Sequence, residues 1–369
     1  MQIIKNKEKI GKILFLIGIL IELVVMVTDH ISFIELPFRG RFTHVAFVIF
    51  GMKILFTHYT WFQWGVMAAS GILGAVSYLT CGDEYVIRAI VFIFAAKNID
   101  MEKVLKMILH GMLAGTILIV GLSLLGVAGE VKLTAYYGRG DLETRYMLGF
   151  NHANNLHDVV WYLLVITLLI TVEKWNWKHY LLVTVGNIGL FFLTISRNGM
   201  IAVQLLIISC ALMKYFPKLK EMKFPYLLGG VGLIICLWMT WLGGAYGAVH
   251  SKLAAFFDRF LTNRLEMIWE YAPISAWKVF PEGRELLYVD NGFATLFFHY
   301  GYVVGVAYII LLLYMLFRLY KNKDGIGLCV LVTTIFVTFI ETTFIFNVSL
   351  LCNMALIVIM LCWRGNQEA

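Results

Sequence analysis

The chain has 369 residues, 60% of them apolar and 14% charged, with a formal net charge of +7 and a mean hydropathy of +0.81. Water-soluble domains are about half apolar and about a quarter charged, so the apolar excess here faces lipid. With 5 Pro and 6 Cys the composition excludes disorder, collagen and a disulfide scaffold, and basic residues set in short clusters between apolar runs exclude a nucleic-acid-binding face.

Because ~20 helical residues at ~1.5 Å each cross ~30 Å of hydrocarbon, every apolar run near that length is a predicted span. The spacing predicts an all-α, polytopic integral membrane bundle, one transmembrane domain over 1–369, with about twelve transmembrane helices or as few as ten. The first span, 10–28, follows Lys5, Lys7, Lys9 and Lys12 without a small-residue cleavage site, which predicts an uncleaved anchor with a cytoplasmic N-terminus. Spans 43–57, 62–80, 84–97 and 101–127 follow. The second and fourth are short, and the fourth carries Arg88, so re-entrant or fully enclosed helices are alternatives for them. A first long external loop, 128–152, precedes spans 153–172, 178–195, 198–215 and 225–243. A large external loop, 244–291, lies before the tenth span and contains a helix-period stretch near 251–272, with Leu253, Phe256, Phe260 and Leu265 on one side, expected to lie on the membrane or cap a cavity. Spans 292–317, 325–343 and 348–363 return the C-terminus to the cytoplasm. The cysteines fall mostly inside spans without a C-x-x-C pair and are expected to be small core residues.

On this threading the inner loops hold Lys97, Lys103, Lys106, Lys174, Lys178, Lys214, Lys218, Lys220, Lys223, Arg318, Lys321, Lys323 and Arg364, the positive-inside pattern. The outer loops hold Arg39, Arg41, Arg139, Arg145, Arg197, Arg259, Arg264 and Arg284, with Lys132, Lys252 and Lys278. Either cation fixes topology, but a guanidinium adds a planar fork that binds phosphate or carboxylate oxygens two at a time.

Several outer residues are candidates for chemistry. The stretch from Tyr136 to Arg145 sets Arg139, Arg145, two acids and two tyrosines in one loop, a mixture that suits sugar binding and also occurs in ordinary loops. His152 either caps the sixth span or acts beyond it. Arg197 lies in the tight turn Ser196-Arg197-Asn198-Gly199, where a charge at the mouth of two spans calls for an anion; the alternative is a snorkelling side chain beside a Ser196 or Asn198 cap. Asn263 and Glu266 read as a capping box that starts a helix at Arg264, and a cation in that first turn suits a docked anion. Asp290 is the expected N-cap of the tenth span or a general base, a role for which Glu282 and Glu285 compete, while His299 has no assigned role. No zinc, P-loop or dinucleotide motif occurs, so neither metal nor nucleotide is expected.

Three stretches carry a resemblance. They are Gly149-Phe150-Asn151-His152-Ala153-Asn154, Ser196-Arg197-Asn198-Gly199, and Asp290-Asn291-Gly292-Phe293 continuing through His299-Tyr300-Gly301 to Gly305, with Asn263-Arg264-Leu265-Glu266 ahead of Trp269. In their order and in the large loop before the tenth span, the chain resembles bacterial O-antigen or exopolysaccharide polymerases of the Wzy type, within the polymerase and O-antigen-ligase group. The resemblance implies a metal-independent glycosyltransferase without cofactor, in the bacterial cytoplasmic membrane. Its donor and acceptor would be polyprenyl-pyrophosphate-linked oligosaccharides, its neighbours membrane lipid, a flippase and chain-length regulators, with no nucleic acid. It implies Arg197 and Arg264 as pyrophosphate ligands, then Arg145, with Arg139 and Arg284 as further substrate contacts, and Asp290, His152 or Glu285 as the proton acceptor. Related ligases often carry His just before the Asn that opens the late span; Asp290 in that place disfavours a ligase. A flippase for the same lipid-linked sugar is the alternative from another class, disfavoured because little charge apart from Lys53 and Arg88 lies within spans.

Overall fold

Long apolar runs whose few prolines fall at their edges have one way to satisfy their backbone in lipid, which is to coil. A computed structural model describes residues 2–33, 37–136, 142–282, 289–342, 345 and 349–352. In chain order its helices are α1 (Gln2–Asp29), α2 (Arg39–Leu55), α3 (Trp61–Cys81), α4 (Tyr85–Ala95), α5 (Met101–Leu124), α6 (Ala153–Thr171), α7 (Trp177–Thr194), α8 (Arg197–Tyr215), α9 (Lys223–His250), α10 (Lys252–Leu261), α11 (Arg264–Tyr271), α12 (Gly292–His299), α13 (Gly301–Lys321) and α14 (Gly325–Ile340). Seven helices among the described residues are long and apolar enough to cross a membrane: α1, α3, α5, α6, α8, α9 and α13. The chain is therefore an all-α helical bundle of membrane type.

Local chemistry sets many of the boundaries. Thr60 and Gln63 form a capping box at the start of α3, Asp100 accepts from the Lys103 amide at 3.3 Å to start α5, and Gly82 closes α3 in the left-handed region. At the lysine-rich end, lysines close helix C-termini: Lys214 Nζ donates to the carbonyls of Val172 and Glu173, and Lys53 to that of Lys97.

Three departures from the sequence expectation have local causes. The predicted loop at 128–152 contains an antiparallel hairpin, β1 (Lys132–Tyr136) with β2 (Leu142–Tyr146), in which Thr134 and Thr144 pair across the strands at 2.7 Å. The helix-period stretch at 251–272 is broken between α10 and α11, where Thr262 and Asn263 both take positive φ. The tenth predicted span, 292–317, is interrupted after Tyr300 by Gly301 at φ +83, a position where an added Cβ would lie 2.6 Å from the Val279 carbonyl oxygen.

Small residues bring the helices together. Gly111 and Gly115 on α5 lie one turn apart against Leu23 and Val27 of α1, and Gly74 of α3 lies against the Ile87 backbone of α4. Between α1 and α4 a fully buried Glu22 accepts from Arg88 Nη2 at 2.9 Å, from Ser349 Oγ at 3.0 Å and from the Leu350 amide at 2.8 Å. That pair ties the 3₁₀ turn Leu350–Cys352 to the bundle interior.

Candidate functional site

At the end of the bundle opposite these lysines, the starts of α6, α8, α11 and α12 meet the end of α14. The residue that joins them is Arg264, the first of α11, which is 6% exposed. Its Nε donates to the Ile340 carbonyl at 2.7 Å, and Nη1 to Thr262 Oγ1 at 2.8 Å and the Leu261 carbonyl at 3.3 Å. Nη2 donates to Glu341 Oε1 at 3.0 Å and lies 3.4 Å from Asp290 Oδ2. With its amide oxygen turned toward the guanidinium, Asn198 of α8 accepts from Nη1 at 2.8 Å and from Nη2 at 3.3 Å.

The helix starts at Arg264 as its neighbours predict, but the expected capping box is absent. Asn263 makes no capping hydrogen bond. Asp258 of α10 accepts from the Leu265 amide at 2.7 Å instead, and Glu266 turns away to accept from the amides of Ala248 and Val249, where Gly247 breaks α9. Two acids thus fasten the corner formed by α9, α10 and α11 and aim Arg264 inward.

Asp290 is likewise released from its expected structural task, because Asn291 is the N-cap of α12. The Asn291 side chain accepts from the Ala294 amide at 2.8 Å and donates to the Phe339 carbonyl at 2.8 Å, joining α12 to the end of α14. Asp290 therefore keeps a side chain 23% exposed, with one oxygen toward Arg264 and Oδ1 buried without a hydrogen-bond partner.

His152 caps α6, its Nδ1 accepting from the Asn154 amide at 3.2 Å. Burial, and after it the Arg145 guanidinium, hold this imidazole below its ordinary value of 6.5, with Asp290 opposing. Arg145 is itself buried on β2 and held by Glu143 Oε2 through Nε at 3.0 Å and Nη2 at 2.7 Å. Arg197 is different: it stands exposed as the first residue of α8, and Ser196 makes no side-chain cap there. Gly199, one turn into α8, is pressed against His157 of α6, where an added Cβ would lie 2.5 Å from the His157 Cβ. Arg139, Arg284 and Glu285 lie outside the described residues.

Two acids that sequence reasoning passed over belong to the same cluster. Glu341, the residue just past α14, also accepts from Asn154 Nδ2 at 3.4 Å. Asp158, one turn beyond Asn154 on α6, interacts electrostatically with Asp290 and Arg264. Both sat inside predicted spans, and a carboxylate in an apolar run is itself a signal of function. Asp158 also borders an apolar cavity lined by Met26, Met112, Ile119 and Tyr162. Elsewhere, buried His299 lies 3.8 Å from Asp83, at the break between α12 and α13.

Chemically, two carboxylates on one guanidinium, with Asp158 and a neutral-leaning imidazole in their field, suit proton abstraction next to an anion. No group of acids, histidines and cysteines among the described residues has the arrangement to hold a metal ion. No family model, curated protein or solved structure matches the chain.

Proposed function

We propose that the chain is a metal-independent glycosyltransferase of the Wzy polymerase type. It would join polyprenyl-pyrophosphate-linked oligosaccharide units into a surface polysaccharide on the outer face of the bacterial cytoplasmic membrane. Both termini are cytoplasmic on this reading, with about twelve crossings of the bilayer. The observation that carries it is the meeting of Arg264, Asp290 and His152 at the end of the bundle away from the lysine-capped helix termini.

In this scheme an acceptor sugar hydroxyl attacks the anomeric carbon of the donor and gives its proton to Asp290, whose side chain is 23% exposed. Exposed Arg197 stabilises charge developing on the departing diphosphate, and Arg264 fixes the position of Asp290. The test is polymer length in a host lacking its own polymerase. Asp290→Asn is expected to lower polymer yield by about 10²-fold or more, as for loss of a general base, and Arg197→Ala to shorten the chains. Long polymer from both variants, with each protein present in the membrane, refutes the assignment.

A transporter of the same lipid-linked sugar is the second reading, favoured by the Glu22–Arg88 pair buried within α1 and α4. Rescue of a host lacking the flippase, and not of one lacking the polymerase, would select it.

A further inference from the structure

We infer that Glu341 is a displaceable internal anion: its carboxylate holds Arg264 by the contact a phosphate oxygen makes, and a diphosphate reaching the guanidinium replaces it. The inference rests on the proposed reading for the identity of the ligand, and on the geometry of Arg264 for everything else.

A guanidinium offers five N–H groups in a fixed fork. In Arg264 the Nε edge is committed to the Ile340 carbonyl, and Nη1 to Thr262, the Leu261 carbonyl and the Asn198 amide oxygen. The backbone carbonyls among these partners, those of Ile340 and Leu261, sit at the ends of packed helices and anchor the Nε and Nη1 edges. The Nη2 edge is met by side chains alone: Glu341 at 3.0 Å, the Asn198 amide oxygen at 3.3 Å and Asp290 at 3.4 Å. That edge is the exchangeable one, and Glu341, with the shorter contact, is its main occupant.

Glu341 is also suited to leave. It follows the last residue of α14 on extended backbone, φ −142 and ψ 144, with only its amide, bonded to the Val337 carbonyl at 2.8 Å, still part of the helix. It shares its surroundings with Asp290 and Asp158, whose like charges oppose its own against the stronger attraction of Arg264. Asn154 Nδ2, at 3.4 Å, steadies the oxygen that Arg264 binds. The groups facing Glu341 are thus Arg264 from α11, Asp290 before α12, and Asn154 and Asp158 from α6. Exchange at Nη2 would admit the diphosphate beside Asp290 and clear the second acid from the guanidinium in one movement.

The test is binding of inorganic pyrophosphate, and in parallel of farnesyl pyrophosphate, to the purified full chain in lipid nanodiscs. Glu341→Gln keeps an oxygen for Arg264 and removes the competing charge. It is expected to tighten both probes by about 10-fold, the value of one charge-assisted hydrogen bond, and to lower polymerisation. Asn154→Ala leaves Glu341 in place but loosens it, and is expected to tighten binding about 3-fold, as for a neutral hydrogen bond. A merely structural role predicts the opposite sign, since damage to the site weakens binding. Unchanged or weaker affinity in a folded Glu341→Gln protein overturns the inference. If that variant does not fold, Asn154→Ala decides by the same criterion. Tighter pyrophosphate binding together with polymer still made by Asp290→Asn would sink the catalytic assignment and leave this one standing.

Discussion

Arg264 and Arg197 look alike in the sequence, as arginines at helix starts, yet their surroundings differ. Arg264 is enclosed and bonded on every edge, and losing it strands Glu341 in a buried site. Breaking a buried pair by removing one partner costs about 3–5 kcal/mol. Arg264→Ala is therefore expected to lower the thermal midpoint in detergent by many degrees. Arg197→Ala, at an exposed position, is expected to stay within about 0.5 kcal/mol of wild type, and equal losses in the two variants would contradict these assignments. His152 supplies a pH dependence. Its folded state favours the neutral imidazole, because burial and Arg145 push the group below 6.5. The stability this contributes is present above that value and declines as pH falls beneath it, since the unfolded chain then binds the proton more readily. Thermal melts from pH 7.5 down to 5.5 are expected to show the decline, and His152→Gln to flatten it. Candidate residues were legible one at a time; their partners were not, because Asp290, Glu341 and Arg264 are joined by contacts spanning dozens of residues of chain.

Helices were the most legible elements, since an apolar run in lipid has few alternatives to coiling. Where the expectation failed, a competing contact won. The box expected from Asn263 and Glu266 gave way because Glu266 finds two free amides at the Gly247 break, and Asp258 takes over the cap. Asn291 displaced Asp290 as cap because its amide both accepts and donates, which lets one side chain join α12 to α14. The turn Ser196-Arg197-Asn198-Gly199 is constrained as much by packing as by charge. A side chain at Gly199 would enter the space of His157, whose Nδ1 is 3.0 Å from Thr194 Oγ1 on α7. Gly199→Leu is expected to destabilise the bundle by about 1–3 kcal/mol or more through overpacking, read as reduced thermal stability and lower yield in the membrane. On α10, Phe256 and Phe260 are exposed, whereas Leu265 of the same expected stretch is buried on α11 beyond the break.

The molecule as a whole is chemically polarised along its helices. Lysines close helix C-termini at one end, and the arginine–carboxylate cluster joins helix starts at the other. Between them the Glu22–Arg88 pair is the internal fastening of α1, α4 and the turn at Leu350. Arg88→Met is expected to cost about 3–5 kcal/mol by leaving Glu22 uncompensated, and the double variant with Glu22→Leu to recover much of it, as buried pairs replaced by apolar residues do. A double variant as unstable as the single one would mean that the Ser349 and Leu350 bonds to Glu22, and not its charge pairing with Arg88, carry the fastening. From sequence alone, Arg88 read as an isolated charge in a short span, and Glu22, 66 positions away, could not be assigned to it. Composition and the lengths of the apolar runs by themselves determined the membrane-type helical class and where most helices lie, because hydrocarbon penalises any unpaired backbone and each apolar run answers that penalty locally. Only the tertiary structure decided which acids meet Arg264, which asparagine caps α12 and where the tenth span breaks. Those outcomes depend on hydrogen bonds and close approaches between distant segments, which no periodicity in the chain encodes.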